Sequence, residues 1–399
     1  MQRRGLLLAL ASAAAPAAVA AQPERGRSRL KITDVRVIPL RLVKEAGSLE
    51  PAWNPGGKMS FRVGGGSFVE VHTDQGITGI GPGLDPNLLP AVKAQLVGKD
   101  PFDTEVHAAR LRYYAAGTSY RGSASIDIAL WDLIGRATGQ PLYKLWGGVK
   151  DRVPAYASMI QLSTPEERAR LARQLADEGW QAIKLRLHYA AMKEDVRTVE
   201  AVRAAVGDRM EIMTDANQAQ SSGNWQPGVL WDLERAVATA RELQRLRCYW
   251  LEEPLPRYAF DMLAELNRLV ELPIAGGENN RGIHEFLAML RGGVYDILQP
   301  ESLVTEGITG LRKIGVLAEA FGKRIVPHHG GGNLGTIAHL HLIAAWPHAP
   351  YIELLHDPPV GDYGHGFSIL QEPPLVDKEG CLRLPQRPGL GVEINRDLI

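Results

Sequence analysis

Apolar segments of strand length alternate with segments of helical periodicity over the C-terminal two thirds of the chain. From residue 153 onward the pattern predicts eight strands, and a segment able to form a helix lies between each strand and the next, although the segment between the last two is short. The predicted strands are Val153–Ser158, Ala182–Leu187, Glu211–Asn217, Tyr249–Pro254, Pro273–Glu278, Val294–Glu301, Arg324–His329 and Tyr351–Leu355. Alternation at this spacing is typical of an α/β protein with a parallel sheet, and eight strands predict that the sheet closes into a barrel.

The N-terminal part of the chain has a different pattern, which predicts a small antiparallel sheet. Leu30–Leu42 alternates apolar and polar residues as a half-buried strand does, and Ser67–Thr73 with Gly76–Gly81 predicts a hairpin. Residues 46–66 are rich in glycine, proline and serine and are expected to form a long loop. Loops of this length in compact domains are often lids over a ligand, and the alternative is a disordered connector.

Helical periodicity dominates residues 88–145, and a glycine pair follows. Within this region, Ser123–Gly135 places four apolar residues on one face, which predicts a helix with a wide buried stripe. The predicted domains are an N-terminal α+β unit over residues 28–150, a barrel over residues 151–356, and a proline- and glycine-rich segment, residues 357–399, that returns to pack on the first unit.

Charge excludes some classes of partner. The 399 residues contain 45 Lys and Arg against 45 Asp and Glu, and 45% of the residues are apolar, as in ordinary globular domains. We therefore expect neither a nucleic acid nor an anionic membrane surface as a partner.

The first 27 residues have the pattern of a secretory signal peptide. Arg3 and Arg4 precede an apolar, alanine-rich stretch, and Ala18-Val19-Ala20 is a plausible cleavage site. The arginine pair permits either the general secretory or the twin-arginine route, so the mature protein is expected to be periplasmic. The alternative is a membrane anchor, which Pro16 and the excess of alanine over leucine disfavour.

Only two cysteines are present, Cys248 and Cys381. We expect both to be unpaired, although an exported protein could join them.

Three acidic residues, each near the C-terminal end of a predicted strand, are the strongest candidates for chemistry. Asp215, Glu252 and Glu278 are 37 and 26 residues apart, with helical segments between them. Because a barrel gathers the C-terminal ends of its strands at one face, these carboxylates are expected to meet there. Three oxygen ligands suit Mg²⁺ better than Zn²⁺, and the alternative is that all three are solvated loop charges.

Further polar side chains are expected at the same face. Lys184 and Arg186 are two residues apart on one strand and so point the same way, as do Asp215 and Asn217, although Asp-Ala-Asn could also be a turn. Two cations on an inward face require anions, which the carboxylates and an anionic substrate would supply.

A glutamate and a histidine end two neighbouring predicted strands. Glu301 and His328 are expected to lie within hydrogen-bond reach and to form a proton shuttle, in which the carboxylate fixes the tautomer of the imidazole. His329 could equally be the active histidine, and the glycines that follow it would let a ligand approach closely. Glu353 ends the eighth strand and would face the same cavity.

Taken in order, these motifs resemble those of the mandelate racemase and muconate lactonising enzymes, a branch of the enolase superfamily. The motifs are ASIDIALWDLIGR with PLYKLWGG (124–148), Lys184-Leu185-Arg186, TDAN, LEEP and GGEN around Asp215, Glu252 and Glu278, VPHH at His328, and YIELL at Glu353. The resemblance covers about residues 30–399. It implies an N-terminal α+β capping domain, whose loop at 46–66 closes over the substrate, on a (β/α)7β modified TIM barrel.

The resemblance also implies an activity and its cofactor. One Mg²⁺ per subunit would be held by Asp215, Glu252 and Glu278, a carboxylate substrate would bind the ion, and a base would remove the proton next to the carboxylate. Asn217, Trp53 and His329 are expected to contact the substrate, and the protein is expected to form a homo-oligomer.

Two positions depart from the family pattern and favour one reaction. Arg186 stands where a second lysine is usual, and an arginine is a poor base at neutral pH; Glu301 stands where an aspartate is usual. We therefore expect one-sided chemistry, in which His328 takes the proton, Lys184 holds the substrate carboxylate and Glu353 helps with charge. The predicted reaction is dehydration of a sugar acid. A hydroxy-acid racemase or epimerase and a non-catalytic metal-binding protein are the alternatives.

Overall fold

A computed structural model describes residues 30–114, 121–148, 150–220 and 228–399. The predicted signal peptide, residues 1–27, lies outside the described residues. Among the helices of the described ranges, none has both the length and the apolar character needed to cross a bilayer.

The N-terminal unit is an α+β domain. Its strands and helices in the described residues are β1 (Ile32–Pro39), β2 (Leu42–Leu49), β3 (Met59–Gly64), β4 (Ser67–Thr73), β5 (Thr78–Pro82), α1 (Leu89–Leu96), α2 (Thr104–Tyr114), α3 (Arg121–Thr138) and α4 (Leu142–Leu145). β4 lies between β1 and β5 in an antiparallel sheet, which confirms the predicted hairpin. The apolar face of α3 packs with this sheet, and the two together form the core of the domain.

The segment expected to be a long loop, residues 46–66, is instead largely a β-hairpin. β2 and β3 pair antiparallel, with register shifts near Gly47, and residues 50–58 form the turn between them. The sequence does not reveal these strands because they carry glycines and few β-branched residues, and because much of the hairpin is exposed rather than half-buried. Its turn lies over the barrel, where the backbone N–H of Ala52 donates to the carbonyl of Ile160 at 2.8 Å.

Residues 152–355 form the predicted (β/α)7β barrel. The strands are β6 (Arg152–Ser158), β7 (Ala182–Arg186), β8 (Glu211–Asp215), β9 (Leu251–Glu252), β10 (Ile274–Gly276), β11 (Ile297–Leu298), β12 (Arg324–Ile325) and β13 (Ile352–Leu355). The helices between them are α5 (Pro165–Asp177), α6 (Met192–Val206), α7 (Leu233–Arg245), α8 (Phe260–Leu269), α9 (Gly282–Gly292), α10 (Gly307–Ala320) and α11 (Leu334–Ala345). The strands are parallel in the order β12-β11-β10-β9-β8-β7-β6-β13, so β13 returns to pair with β6. All eight predicted strands are confirmed, and most are shorter than predicted.

Side chains fill the barrel interior below the polar face. One layer of buried side chains comes from seven of the eight strands or their flanks: Tyr156, Ala182, Met213, Trp250, Ala275, Ile297 and Val326. The polar residues described below lie at the C-terminal ends of these strands. This packed layer excludes water from beneath them, and electrostatic interactions there are therefore strong.

The C-terminal segment contains α12 (Gly364–Phe367) and β14 (Cys381–Arg383), and it contacts both units. β14 pairs antiparallel with β6 of the barrel. Farther along, the Leu390 backbone N–H donates to Asp132 Oδ1 at 2.7 Å, and Arg396 forms an ion pair with Glu70 at 2.9 Å. Cys248 and Cys381 are both buried and unpaired, as predicted.

Replacement of Asp127 by alanine is expected to lower the free energy of unfolding by about 1–3 kcal/mol. Asp127 on α3 is buried, and it accepts from the backbone N–H of Thr309 at 2.9 Å and from its hydroxyl at 2.6 Å, so it caps the start of α10 from the neighbouring domain. Urea unfolding followed by circular dichroism measures the loss. Glu319→Ala, which removes an exposed carboxylate from α10, is the control, and equal stability of the two variants would contradict this role.

Candidate active site

The polar residues predicted from the sequence gather at the C-terminal face of the barrel. Arg186, Asp215 and Glu252 are the last residues of β7, β8 and β9, and Glu278 and Glu301 follow β10 and β11 closely. His328 follows β12, while Lys184 and Glu353 lie within β7 and β13. A face built from successive strand ends is where barrels carry ligand sites.

Lys184 lies at the centre of this face, completely buried among three carboxylates. Its Nζ is 2.8 Å from Glu252, 2.9 Å from Glu353 and 3.4 Å from Asp215. Burial alone would lower the pKa of the Lys184 ammonium, but Glu252, Glu353 and Asp215 outweigh it and raise that pKa above its ordinary value. Lys184 is therefore a fixed positive charge beneath the cavity.

All three guanidinium nitrogens of Arg186 donate hydrogen bonds within the protein. Its Nε donates to the carbonyl of Met159 at 2.7 Å, one terminal nitrogen donates to Asp215 and to Asn217 Oδ1, and the other donates to Ser158 Oγ at 3.1 Å. Burial would lower the pKa of Arg186, but Asp215 above all raises it. Arg186 thus orients Asp215 and Asn217 and cannot serve as a base.

Glu252 accepts hydrogen bonds from two buried side chains in addition to its ion pair with Lys184. Its Oε2 accepts from Trp250 Nε1 at 3.1 Å and from Gln299 Nε2 at 2.7 Å. Burial, and next the charge of Asp215, raises the pKa of the Glu252 carboxyl above its ordinary value. Burial and the neighbouring carboxylate thus both disfavour the ionised form of Glu252.

The three predicted metal ligands lie at neighbouring strand ends, but their oxygens do not surround one point. Among the described residues, no three His, Cys, Asp or Glu side chains stand in a geometry that could hold a metal ion as they are. Asp215 faces Arg186, Glu252 faces Lys184, and Glu278 faces His328 at 3.2 Å. Binding an ion would require these carboxylates to exchange partners.

The composition of the site nevertheless fits a hard divalent cation. Among the described residues, six buried carboxyl groups lie close to three permanent cations, Lys184, Arg186 and Arg257; the carboxyl groups are those of Asp215, Glu252, Glu253, Glu278, Glu301 and Glu353. Ionisation of all these buried carboxyl groups is unfavourable unless another positive charge offsets it, as the raised pKa of Glu252 shows. Carboxylate oxygens are the donors that Mg²⁺ prefers.

His328 and Glu301 form the predicted pair. His328 Nδ1 lies 3.0 Å from Glu301 Oε2, which also accepts from the backbone N–H of Gly330 at 2.9 Å. The other oxygen of Glu301 accepts from the backbone N–H of Leu303 at 3.0 Å. These amide contacts hold both oxygens of Glu301 in place, and they leave Nε2 of His328 directed toward Glu278 and the cavity.

The charges around the pair favour protonated His328. Burial would lower the pKa of His328, but Glu278, Glu353 and Glu301 raise it to about 10. Burial raises the pKa of Glu301, but the histidines around it, including His328, outweigh burial and lower that pKa below its ordinary value. Any positive charge that pairs with Glu278 would lower the pKa of His328 and so free it to act as a base.

The two adjacent histidines, either of which could be the active one by sequence, have different partners in the structure. His329 Nδ1 accepts from the backbone N–H of Gly331 at 3.1 Å, whereas Glu301 pairs with His328. Burial, and next the positive charge on His328, lowers the pKa of His329 to about 3. The geometry therefore favours His328 as the proton carrier and leaves His329 as a neutral wall residue.

A cavity of about 160 Å³ opens above these groups. Its walls include Arg186, Glu278 and His328 and all three residues expected to contact substrate, Trp53, Asn217 and His329. Trp53 reaches the cavity from the turn of the β2–β3 hairpin, and its ring lies 4.4 Å from the Arg186 guanidinium. The N-terminal domain therefore completes the site.

Several residues of the site were missed in the sequence. His188 Nε2 lies 3.0 Å from Asn217 Oδ1, and Gln220 and Asn279 both donate to Glu278. Glu253 is buried, with a positive φ of 44°, and neither carboxylate oxygen has a hydrogen-bond partner among the described residues. His188 could have been found, because it continues the two-residue period of Lys184 and Arg186. The amides carry no comparable signal.

Replacement of Trp53 by alanine is expected to lower kcat/KM by about 2- to 30-fold, because the ring no longer stabilises the guanidinium that orients Asp215. Steady-state kinetics on the acid found by the screen described below measures the loss. Trp53→Phe, which keeps an aromatic face over Arg186, is expected to retain most of the activity. Equal losses in both variants, or none in Trp53→Ala, would show that the stacking has no such role.

Together, a capping α+β domain and a (β/α)7β barrel with a carboxylate-rich face define an enolase-type barrel protein. Residues 60–147 match the mandelate racemase / muconate lactonizing enzyme N-terminal domain, and residues 167–398 match the enolase C-terminal domain-like family. The chain belongs to the mandelate racemase and muconate lactonizing enzyme family of the enolase superfamily.

Characterised relatives lie within this family. The chain is 31% identical over 343 residues to the arabinonate dehydratase of Saccharolobus solfataricus, which covers 82% of this chain and 87% of that protein. It is 30% identical over 352 residues to the D-galactarolactone cycloisomerase of Agrobacterium fabrum, covering 83% and 89%. The crystal structure of D-glucarate dehydratase from Agrobacterium tumefaciens, complexed with magnesium, superposes with a TM-score of 0.78 at 30% identity, covering 92% of this chain and 97% of that chain.

Proposed function

We propose that the protein is a Mg²⁺-dependent carbon–oxygen lyase that dehydrates a sugar acid, aldonic or aldaric, to a 2-keto-3-deoxy acid. The C–H bond next to the carboxylate and the C–OH bond of the following carbon break, water leaves, and the resulting enol becomes the ketone. Two of the similar proteins described above are dehydratases of such acids, and one of them was crystallised with magnesium.

The observation that carries this proposal is the difference between His328 and Arg186, two ionisable residues that line the cavity. His328, paired with Glu301, can accept and return a proton, whereas Arg186 donates hydrogen bonds within the protein from all three guanidinium nitrogens and has a raised pKa. His328 follows β12 and Arg186 ends β7. These two strands are not neighbours in the barrel, so the two side chains approach the cavity from different sides. Racemisation needs an acid–base group on both faces of the carbon, and dehydration needs a base on only one.

Each residue then has a distinct role. His328 Nε2 removes the proton next to the carboxylate and then returns it to the departing hydroxyl, which leaves as water, while Glu301 holds Nδ1–H and stabilises the imidazolium that forms between the two steps. Lys184 and Arg186 supply fixed positive charge beneath and beside the substrate carboxylate, where negative charge accumulates. Asp215, Glu252 and Glu278 would hold Mg²⁺, which when bound stabilises the charge that develops on the substrate carboxylate.

A screen of aldonic and aldaric acids with Mg²⁺ in deuterated water tests the reaction class. The expected result is a 2-keto acid product from at least one acid. Deuterium in unreacted substrate of inverted configuration, without keto product, would show an epimerase instead. Binding of Mg²⁺ without turnover of any acid would support the non-catalytic alternative.

We also propose that residues 1–27 are an export signal and that the mature protein forms a homo-oligomer. The charge pattern of the N-terminus supports the first of these. N-terminal sequencing of the protein from a periplasmic fraction tests export. Light scattering of the purified protein measures its oligomeric state, and a monomer at micromolar concentration would exclude the oligomer.

A further inference from the structure

A second chamber of about 200 Å³ adjoins the catalytic cavity, and we name it the distal chamber. Its roof is strand β3 of the hairpin, residues 59–62, and its floor is Glu353–Leu355 of β13. The glycine loop at residues 331–332 and the segment 362–367 form its sides. Met59, His329 and Leu355 line both spaces, so the two lie side by side at these residues.

The sides of the chamber are fixed by close backbone contacts rather than by flexible loops. A Cβ on Gly366 would lie 2.1 Å from the carbonyl oxygen of Gly332, so the two segments can approach this closely only because residue 366 is glycine. The backbone N–H of Gly64, at the end of β3, donates to Ser368 Oγ at 2.8 Å. The hairpin, the glycine loop and the C-terminal segment therefore enclose a preformed space.

Carbon atoms make up most of the chamber walls. Phe61, Tyr363 and Phe367 contribute aromatic rings, and Met59, Leu354 and Leu355 contribute aliphatic groups. Aromatic and aliphatic walls of this kind hold apolar faces of a ligand, with a few polar groups fixing its orientation.

Three polar groups of the chamber already bond within the protein. Thr336 Oγ1 bonds the carbonyl of His329 and the N–H of Gly332, Asp362 accepts from the N–H of Gly364, and the Tyr363 hydroxyl accepts from the N–H of Val376. An open polyol chain would place a hydroxyl on each carbon against walls that are mostly carbon, and burying a hydroxyl without a partner is unfavourable. A sugar ring has a C–H face that packs on aromatic rings and hydroxyls at its edge that can reach the open side.

The size of the two spaces also indicates an extended ligand. Pockets that enclose small ligands have volumes of about 300–1,000 Å³. The volume of each cavity lies below this range, and the combined volume of the two lies within it. A sugar acid in the catalytic cavity would leave the distal chamber for a further group.

From these observations we propose that the substrate is a glycosylated sugar acid, with its acid end in the catalytic cavity and a second sugar ring in the distal chamber against Phe61. This inference rests on the proposed dehydration and names its substrate class. The linkage, at O4 or O6 of the acid, determines whether the ring reaches the chamber.

Paired substrates and variants test the inference. Each unsubstituted hexonic acid, such as gluconate, is compared with its 4-O- and 6-O-galactosyl derivatives, and 2-keto acid formation gives kcat and KM. At least one galactosyl derivative is expected to have the lower KM. Phe61→Ala is expected to raise that KM by about three- to tenfold and to leave the KM of the unsubstituted acid within about twofold. Phe61→Tyr, which keeps the ring, should behave as the wild type.

Val43→Ala is the matched control, because Val43 is exposed on β2 of the same hairpin and lines neither space. It is expected to leave both KM values unchanged. Saturation-transfer NMR gives a readout independent of turnover, since protons of the galactosyl ring should receive saturation from the wild type and less from Phe61→Ala.

The outcomes separate this inference from the proposed function. Ring contacts by NMR without turnover of any acid would overturn the dehydration and keep the binding mode. Turnover of unsubstituted acids, with no preference for a galactosyl derivative and no effect of Phe61→Ala, would overturn the inference alone. Neither turnover nor ring contacts would overturn both.

Discussion

Replacement of His328 by asparagine is expected to lower kcat by about 10²–10⁴-fold, the usual contribution of a positioned acid–base group. The asparagine amide can still donate to Glu301 in place of Nδ1–H, so the loop should keep its shape. It has no atom in the position of Nε2 and cannot accept the substrate proton. Steady-state kinetics on the acid found by the screen measures kcat, and exchange of the substrate proton with deuterated solvent measures proton abstraction directly.

His284→Asn is the control for this variant, since it makes the same chemical change at an exposed position on α9. It should leave both readouts unchanged. If His328→Asn turned over within about fivefold of the wild type, His328 would not be the base, and His329 would have to be tested next. Unchanged KM with reduced kcat would place the loss in the chemical step rather than in binding.

The two departures from the family pattern are related through the geometry of the site. Arg186 cannot act as a second base. Its guanidinium instead donates to Asp215 and Asn217 and stacks against the aromatic ring of Trp53. Proton transfer is then left to the histidine on the other side of the cavity. Glu301 in place of aspartate keeps that histidine oriented because backbone amides hold both of its oxygens.

The barrel and the placement of its polar residues could be predicted because each strand is an apolar segment with a polar residue near its end. The strand order follows from alternation with helices, and the order in turn brings Asp215, Glu252 and Glu278 to neighbouring strand ends. The local pattern of apolar and polar residues, together with the order of the strands along the chain, was therefore sufficient to predict this part of the site.

The remaining features depend on contacts between distant parts of the chain. Residues 46–66 could not be recognised as a hairpin, because its strands are stabilised by the barrel and by the segment around Ser368 rather than by their own composition. The distal chamber joins residues near 60, 331 and 365, which no local pattern connects. The partners of individual oxygens, such as those of Glu252, depend on side-chain rotamers that no spacing specifies.

Replacement of Glu252 by glutamine is expected to weaken Mg²⁺ binding by more than about 100-fold, since even residues that only support a metal ligand commonly contribute 10- to 100-fold to metal affinity. The change removes the negative charge and one oxygen of a candidate ligand. It also places an amide N–H against groups that now donate to Glu252, namely Lys184, Trp250 and Gln299. Isothermal titration of the chelator-treated protein with Mg²⁺ measures the affinity without relying on catalysis.

Catalytic activity is also expected to depend on bound Mg²⁺. Chelation is expected to abolish turnover of the wild type and Mg²⁺ to restore it, because the negative charge that develops on the substrate carboxylate would otherwise meet six buried carboxyl groups. Glu265→Gln, an exposed change on α8, should bind Mg²⁺ as the wild type does. Circular dichroism shows whether Glu252→Gln remains folded. A folded Glu252→Gln protein with undiminished Mg²⁺ affinity would exclude Glu252 as a ligand, and wild-type turnover that survives chelation would exclude the ion from the reaction.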